Sequence, residues 1–404
     1  MDGRFITDHR MSGKDRESSV ASQVACLVAL ESSCYGSRVT SSSRKSQSSD
    51  SGTPAERGYR MPAEWEPHES TWLAWPHFRG DWPGKFDPIP WVYAEIIRNL
   101  ARHEFVDLIV NDVEAETRAT KILDRAAALN TNVRFHRWPS DRVWLRDSGC
   151  TFVVAGKSPS AQKLGVKWKF NAWAKYPNFK LDEKIGSKMA HAAGAEEIRA
   201  VFDKDRVVLE GGSIDVNGQG TLLTTEECLL SDVQQRNPSL RRDDYARIFA
   251  DYLGIHKVIW LGTGIAGDDT HGHVDDITRF VAPDTVVTMV ERDRNDINHA
   301  PLQANLQTLQ SSSDQNGRRL RIVELPIPAP VVFEGRRLPA SYANFYIANG
   351  CVLVPVFNDT NDRVALNTLA ELFPSREIVP IYSGDLIWGF GAMHCMTQQQ
   401  PRSK

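Results

Sequence analysis

Four polar segments interrupt the apolar pattern of this chain, and each contains residue types that take part in nucleophilic or acid–base chemistry. They are Trp144–Gly149, Leu209–Ser213, His271–Asp276 and Met393–Cys395. Asp147, Glu210 and His273 follow one another at intervals of 63 residues, and Cys395 comes 122 residues after His273. A fixed period of this length indicates repeated supersecondary units, so the four segments are expected at equivalent positions of the fold.

Each residue also has a simpler explanation when it is taken alone. A free cysteine such as Cys395 is most often a small buried hydrophobe, and acids beside glycines, such as Asp147 and Glu210, commonly cap turns. Trp144 fits a core position, and Arg146 is predicted to be an internal partner for one of the acids. The shared period favours one common site over these separate explanations.

Alternating strands and helices must position these residues. Thr71–Pro76, Phe105–Val110 and Val133–Trp138 are predicted strands, because apolar residues recur in short runs. Trp91–His103 and Glu114–Leu129 are predicted amphipathic helices between them. The same alternation continues to the end of the chain, which predicts an α/β fold with room for about five repeated modules.

One module is expected midway between His273 and Cys395. Its turn would fall near position 334, close to the polar segment Ser341–Tyr346. Repeats arranged around an axis bring equivalent strand ends to the centre. Residues far apart in sequence would then share one cleft.

Residues 1–60 differ from the rest and are predicted to be a disordered or dispensable extension of a single domain at residues 61–401. Ser37–Ser51 is too polar to contribute to a core. Val20–Leu30 is similar to a short signal sequence, but acidic residues precede it. The six cysteines are scattered without a zinc or disulfide pattern, so a cytoplasmic location is expected.

Composition excludes two classes of partner. The chain has 48 basic and 51 acidic side chains, a net charge of −3, and no basic face that would bind nucleic acid. No apolar run reaches transmembrane length, which predicts that the protein has no membrane partner. A hydrophobic content of 41% is sufficient for a large core.

The thiol, the histidine and three carboxylates suggest a cationic substrate. Buried carboxylates are costly without a counter-charge, and a planar guanidinium presents forked N–H donors to two carboxylates at once. Cys395 would attack its central carbon, and His273 would protonate the departing amine. His271, His273 and Asp275 also alternate, so on a strand they would share one face and could hold a metal.

Five motifs together resemble those of the agmatine deiminases, a family of the guanidino-group-modifying superfamily. They are Trp144–Gly149, Leu209–Ser213, Asp269–Asp275, Ala343–Gly350 and His394–Gln400, preceded by the similar opening Met61–His68. The resemblance covers Met61 to about Pro401 in order. It implies a five-bladed α/β propeller, the pentein fold, built from ββαβ-type modules around a central active site.

The resemblance also implies a role for each site residue. Cys395 would be the nucleophile and His273 the general acid and base, while Asp147 and Asp275 would grip the guanidinium. Glu210 would hold the substrate nitrogen and orient the reacting groups. A covalent thiouronium on sulfur would be hydrolysed, giving N-carbamoylputrescine and ammonia from agmatine, a step of polyamine biosynthesis. No metal or organic cofactor is required.

Discrimination between agmatine and arginine must lie at the far end of the substrate. Trp144 can pack on methylene carbons, and Asp268 or Asp269 can meet the ammonium of agmatine, unless both merely cap the turn before Thr270. Arg146 is the one obvious arginine in these motifs and is assigned to internal pairing. The carboxylate of arginine would therefore lack a partner, and agmatine is the predicted small-molecule substrate.

Three alternatives remain open from the sequence. A bacterial-type peptidylarginine deiminase shares the guanidine chemistry, and an amidinotransferase would use the same thiol. A non-catalytic guanidine- or metal-binding protein would be built on His271, His273 and Asp275. A homodimer is considered as the assembly.

Overall fold

The computed structural model describes residues 52–156 and 162–403, which contain twenty strands and nine α-helices. The strands are β1 (His68–Ala74), β2 (Phe105–Val110), β3 (Val133–Arg137), β4 (Thr151–Ala155), β5 (Gln162–Lys167), β6 (Glu196–Arg199), β7 (Val201–Phe202), β8 (Asp205–Arg206), β9 (Asp215–Val216), β10 (Thr221–Thr225), β11 (Lys257–Leu261), β12 (Thr278–Ala282), β13 (Thr285–Val290), β14 (Arg321–Pro326), β15 (Val332–Phe333), β16 (Arg336–Arg337), β17 (Tyr346–Ile347), β18 (Cys351–Val356), β19 (Glu377–Tyr382) and β20 (Gln398–Pro401). The helices are α1 (Ile89–Leu100), α2 (Val113–Arg125), α3 (Leu145–Ser148), α4 (Ile185–Ala192), α5 (Glu226–Leu230), α6 (Arg242–Leu253), α7 (His299–Ser311), α8 (Asp362–Leu372) and α9 (Met393–Met396).

Four three-stranded sheets repeat one connection pattern. They are β4-β5-β6, β9-β10-β11, β12-β13-β14 and β17-β18-β19. In each, the first two strands are antiparallel and the third joins in parallel after a helix, which is a ββαβ unit. The central strands β10, β13 and β18 are buried along their whole length, because neighbouring elements cover both of their faces. The predicted α/β class is confirmed.

The fifth sheet joins the two ends of the described chain. Its order is β20-β1-β2-β3, with β20 antiparallel to β1 and the other pairs parallel. Trp72 on β1 lies opposite Gln398 on β20. The last strand of the chain therefore completes the first unit.

The helices cover these sheets with apolar faces. In α1 the fully buried residues Tyr93, Ile96, Ile97 and Leu100 recur at helical spacing. Burial of one such side chain contributes about 1.5–3 kcal/mol. The next helix, α2, starts where the carboxylate of Asp112 accepts the backbone N–H of Ala115 at 2.7 Å.

Each polar segment found in the sequence lies just before the first strand of a sheet. Asp147 precedes β4, Glu210 precedes β9, His273 precedes β12 and Cys395 precedes β20. In the remaining unit Asn344 precedes β17, within the polar segment 341–346. Position 334, where the turn of that unit was predicted, instead belongs to the β15-β16 hairpin.

Part of the predicted extension contacts the domain. The backbone N–H of Ala55 donates to the carbonyl of Asp251 at 2.9 Å, and Arg60 forms a β-bridge with Val154. The ring of Tyr59 is buried among core residues. Residues 1–51, on which the prediction of disorder mainly rests, lie outside the described residues. Within the described ranges no helix is both long and apolar enough to cross a lipid bilayer.

Candidate active site

A cavity of about 310 Å³ opens above the thiol of Cys395. Its walls are mainly aromatic and acidic, and they include the predicted residues Trp144, Asp147 and Asp269. His273, Glu210 and Asp275 are fully buried beside this cavity. The structure thus brings together the residues that the repeat period predicted at equivalent positions.

Cys395 lies in the one-turn helix α9, just before β20. The glycines that precede it allow close packing: a Cβ on Gly391 would lie 2.7 Å from the ring of Trp144 and 3.0 Å from the Cβ of Cys395. A larger residue there would push the indole or the nucleophile aside. Trp144 thereby forms a wall of the cavity next to the sulfur.

Asp147 lies in the short helix α3 and is held by two donors. Its Oδ1 accepts the backbone N–H of Gly212 at 3.1 Å, and its Oδ2 accepts the indole N–H of Trp173 at 2.9 Å. Trp173 has a left-handed backbone, with φ of 59°. Such a conformation is unfavourable for a bulky residue and is typical of functional sites.

His273 stands among three carboxylates without hydrogen-bonding to any of them. Its Nδ1 is 4.0 Å from Oδ1 of both Asp147 and Asp275, and its Nε2 is 3.8 Å from Oε2 of Glu210. Neither ring nitrogen has a hydrogen-bond partner among the described residues, and the same holds for Oδ1 of Asp275. Of these orphaned buried polar atoms, Oδ1 of Asp275 is an acceptor that a donor of a bound cation could meet.

The pKa values of the three acids are shifted in different directions. Burial, reinforced by Glu210 and Asp275, raises the pKa of Asp147 to about 6. Burial raises the pKa of Glu210, but the guanidinium of Arg236, 3.2 Å from its Oε1, and the imidazole of His273 together lower it below the ordinary value. At Asp275 burial is likewise opposed, by His394 together with His273 and Arg279, and the pKa of that acid is lowered.

The pKa values of His273 and Cys395 are both raised, which favours the protonated form of each. Burial opposes the charged form of His273, yet Asp147 and other neighbours raise its pKa well above the ordinary value. Burial and the charges of Asp275, Asp276 and Asp147 raise the pKa of Cys395 well above the ordinary value. The free site therefore holds an imidazolium and a neutral thiol, and a bound cation would favour ionisation of the thiol.

A buried ionic network supports the site from behind. His394 Nδ1 contacts Asp275 Oδ2 at 2.6 Å, and its Nε2 contacts Glu64 Oε2 at 2.8 Å. Glu64 also pairs with Arg279 at 3.0 Å and with Arg146 at 3.3 Å. Arg146 is thus an internal partner of an acid, as predicted. This network fixes the orientation of Asp275 next to the nucleophile.

The family model described as Porphyromonas-type peptidyl-arginine deiminase matches residues 60–401. The chain belongs to this family.

Known members of the family have closely related sequences and structures. The agmatine deiminase of Pseudomonas aeruginosa is 37% identical over 377 residues, which cover 88% of this chain and 98% of that protein. The structure of an agmatine deiminase of Enterococcus faecalis catalysing its reaction has a TM-score of 0.79 and 31% identity, covering 87% of this chain and 98% of that one. A C. jejuni agmatine deiminase, a cysteine-to-serine variant with substrate bound, has a TM-score of 0.73 and 28% identity, covering 85% and 96% of the two chains.

The outer end of the cavity is less acidic than the sequence motifs implied. Asp269 faces it, but its carboxylate already binds Lys175 at 2.7 Å, Arg336 at 3.1 Å and the hydroxyl of Tyr176 at 2.6 Å. Arg142 also lines the cavity and pairs with Asp81. Arg146 is the one arginine within the catalytic motifs, but segments outside those motifs supply two more arginines to the cavity, Arg142 and Arg336.

Asp268, the other candidate for the substrate ammonium, occupies a different position. Its Oδ1 accepts the backbone N–H of Thr270 at 2.7 Å, and its Oδ2 accepts those of Gly272 at 2.7 Å and His273 at 3.0 Å. It is not among the residues that line the cavity. Its carboxylate shapes the loop that carries His273.

The predicted metal set does not form a shared face. His273 precedes the one-turn 3-10 helix Val274–Asp276 and is not part of a strand, so the alternation from His271 to Asp275 does not align their side chains. The imidazole of His271 contacts Ser231 at 3.0 Å instead. Among the described residues, two other groups have ligand atoms within 4.8 Å of one another: Glu210 with Cys228 and His273, and Asp275 with Asp276 and Cys395.

The sequence analysis assigned no individual role to several residues of the site. They are Glu64, Trp173, Arg236, Asn344 and His394, all of them buried. Asn344 had a signal, since it lies in the polar segment of the remaining repeat unit. Glu64 lies in the opening Met61–His68 that the resemblance covers. Arg236 had no signal, because nothing in the local sequence distinguishes a buried ion-pair partner from a surface charge.

Proposed function

We propose that this chain is a hydrolase that cleaves a guanidinium C–N bond, with agmatine as its substrate. The observation that carries the proposal is that Cys395 and Asp147 line one cavity, with His273 buried beside it among Asp147, Glu210 and Asp275. Agmatine deiminases that align with nearly the whole domain support the choice of substrate. The products would be N-carbamoylputrescine and ammonia, and the former would enter polyamine biosynthesis.

Asp147 and Asp275 would bind the substrate guanidinium. Oδ1 of Asp275 has no hydrogen-bond partner among the described residues, and Asp147 lines the cavity. A guanidinium offers paired N–H donors that match such carboxylates. Glu210, paired with Arg236, would hold a substrate nitrogen and keep His273 in place.

The bound cation would activate the nucleophile. Its charge offsets the carboxylates that hold Cys395 neutral, so the thiol loses its proton to solvent and the thiolate attacks the guanidinium carbon. His273, protonated in the free site, donates its proton to the departing nitrogen, and ammonia leaves. The sulfur then carries a thiouronium cation.

Hydrolysis would return the enzyme to its starting state. Neutral His273 removes a proton from water, and the hydroxide attacks the thiouronium carbon. The C–S bond breaks with its electron pair on sulfur, and the hydroxyl proton leaves as the ureido carbonyl forms. One water is consumed and one ammonium ion is formed per turnover, with no oxidant or metal ion required.

Three broader features belong to the same proposal. The five sheets of three or four strands would be the blades of a closed five-bladed α/β propeller, which is supported by the repeated ββαβ pattern and by the pairing of β20 with β1. Residues 61–401 would be the catalytic domain, with the contacts of residues 55–60 at its border. A cytoplasmic homodimer is the assembly we propose.

Peptidyl-arginine deimination is the second candidate function, and two observations favour it. The matching family model is described by that activity, and Arg142 and Arg336 line the outer cavity, where they could meet carboxylate or carbonyl oxygens. Against it, the curated relatives quoted above are agmatine deiminases.

The deciding measurement is kcat/KM for agmatine, free arginine and a blocked arginyl peptide under identical conditions. We expect agmatine to exceed the other two by at least about 100-fold, because an added carboxylate or peptide must be desolvated at a mouth whose cations are already paired. Comparable values for agmatine and either arginine compound would refute the assignment of substrate. Absence of ammonia from all three would refute the deiminase chemistry itself.

A further inference from the structure

Asn344 lies directly against the proposed nucleophile. It precedes β17, its side chain is buried, and its Nδ2 is 3.0 Å from Sγ of Cys395. The same Nδ2 is 2.9 Å from Oδ1 of Asp276. The two hydrogens of one amide group thus have two acceptors, the sulfur and a carboxyl group.

The orientation of this amide is set by a third contact. Oδ1 of Asn344 accepts the backbone N–H of His394 at 3.0 Å. The reverse orientation would place the amide hydrogens against that N–H and would leave oxygen facing the acid. Nδ2 must therefore point towards Cys395 and Asp276.

Besides the indole of Trp144, the groups near the sulfur include several acids. Oδ2 of Asp275 is 3.8 Å from Sγ, and Asp147 lines the same cavity. These carboxylates oppose a negative charge on sulfur. Among the described residues, Asn344 supplies the side-chain N–H that donates to Sγ of Cys395.

Asp276 is the second acceptor of this amide, and its protonated form is favoured. Burial raises its pKa well above the ordinary value, and the neighbouring carboxylates of Asp275 and Asp268 raise it further. A neutral carboxyl group still accepts a hydrogen bond through its carbonyl oxygen. It can therefore orient Asn344 in its protonated form as well.

We propose that Asn344 is a further catalytic residue, which donates a hydrogen bond to the Cys395 thiolate and is oriented for this by Asp276 and the backbone of His394. The proposal rests on the function proposed above, in which Cys395 is the nucleophile. No bond of Asn344 forms or breaks. Its N–H stabilises the sulfur anion before attack, and again when the C–S bond breaks and the electron pair returns to sulfur.

The first test measures the thiolate without relying on turnover. Wild-type protein and variants are treated with iodoacetamide between pH 6 and pH 10, and alkylation of the peptide containing Cys395 is followed by mass spectrometry. Asn344→Ala should alkylate about 10- to 100-fold more slowly at each pH, the range expected for loss of one hydrogen bond to a charged group. Asn217→Ala removes another buried amide, which contacts Pro283 and Gln315, and should alkylate at the wild-type rate.

A second variant separates donation from simple support of helix α9. Asn344→Asp keeps an oxygen that can accept the N–H of His394, but it removes the donor from sulfur. It should alkylate at least as slowly as Asn344→Ala, whereas a purely structural role predicts a rate near that of the wild type. If Asn344→Ala fails to fold, this variant and Asn344→Ser provide the same comparison.

The role of Asp276 is tested by a pair of substitutions. Asp276→Ala leaves Asn344 without its acceptor and should slow alkylation several-fold. Asp276→Asn presents a neutral oxygen in the same place and should be less impaired than Asp276→Ala. Equal impairment in the two variants would overturn the orienting role of a neutral Asp276.

The outcomes separate this proposal from the proposed function. Wild-type alkylation rates in both Asn344→Ala and Asn344→Asp would overturn the catalytic role of Asn344, even if agmatine is deiminated. Slowed alkylation in a protein that releases no ammonia from agmatine would support the hydrogen bond to sulfur and refute the deiminase. In an active enzyme we expect kcat to fall with the alkylation rate and KM to change less.

Discussion

Asp147 provides the sharpest test of the site, because its protonation and its substrate contact oppose each other. Burial raises its pKa from the ordinary value of 3.8 to about 6. Keeping this carboxylate ionised in the free protein at pH 8 therefore costs about 3 kcal/mol. A bound guanidinium recovers much of that cost by supplying the missing counter-charge.

The sign of the pH effect follows from the raised pKa. Protonation of Asp147 is easier in the folded protein than in the unfolded chain, so its cost to stability is present above pH 6 and disappears as the pH falls below it. Substrate binding has the opposite requirement, since it needs the ionised form. At pH 5 about one tenth of Asp147 is ionised, and kcat/KM should fall about tenfold through this group alone.

Substitution removes this dependence. Asp147→Asn should reduce kcat/KM at pH 8 by roughly 30- to 5,000-fold, which corresponds to about 2–5 kcal/mol for breaking one partner of a buried charge pair. It should also eliminate the fall in kcat/KM below about pH 6, the acidic limb of the pH profile. Asp275→Asn should be impaired as strongly but keep that limb, because His394 lowers the pKa of Asp275.

The assay is kcat/KM for agmatine from pH 5 to pH 9, combined with the agmatine-induced shift in Tm of a Cys395→Ser background. The shift should be larger at pH 8 than at pH 5, and Asp147→Asn should abolish the difference. Asp182→Asn is the control, since Asp182 is a buried acid whose pKa burial raises to about 7, and its contacts are backbone N–H groups of Asp141 and Arg142. Persistence of the wild-type acidic limb in Asp147→Asn would refute the reasoning.

Three further predictions concern the nucleophile, the domain border and metals. Cys395→Ser should lose at least about 1,000-fold in kcat while agmatine still raises its Tm, because a serine hydroxyl ionises far less readily than a thiol; near wild-type turnover would exclude sulfur as the nucleophile. A protein starting at Gly52 should keep the wild-type Tm and activity, whereas one starting at Met61 should lose roughly 3 kcal/mol with the buried ring of Tyr59; equal Tm values would place the border after residue 60. EDTA should leave kcat unchanged, because a metal-bound His273 could not transfer protons, and recovery of lost activity by a divalent ion would favour a metal enzyme.

The secondary structure was largely accessible from local patterns. The predicted helices Trp91–His103 and Glu114–Leu129 overlap α1 and α2, and the predicted strands Phe105–Val110 and Val133–Trp138 overlap β2 and β3. Short-range periodicity is enough for such elements, because the buried face of each helix or strand must be apolar. The exact position of the module between His273 and Cys395 was not accessible, since the β15-β16 hairpin displaces the expected turn by about ten residues.

The sequence by itself determined which groups meet at the cavity. Cysteine, histidine and acids at a common period imply equivalent positions in repeated units, and equivalent strand ends lie together when such units pack. It also determined that Arg146 would serve an acid internally. These conclusions depend on residue type and spacing, which the chain carries directly.

Only the tertiary structure decided how those groups are supported and what faces them. Glu64, Arg236 and His394 lie 330, 26 and 119 residues from partners they contact, and no local pattern encodes such pairings. The same holds for Arg142 and Arg336 at the outer cavity and for Asn344 against the thiol. The physical reason is that charge pairing and burial depend on distances between side chains, and folding sets those distances across separate sheets.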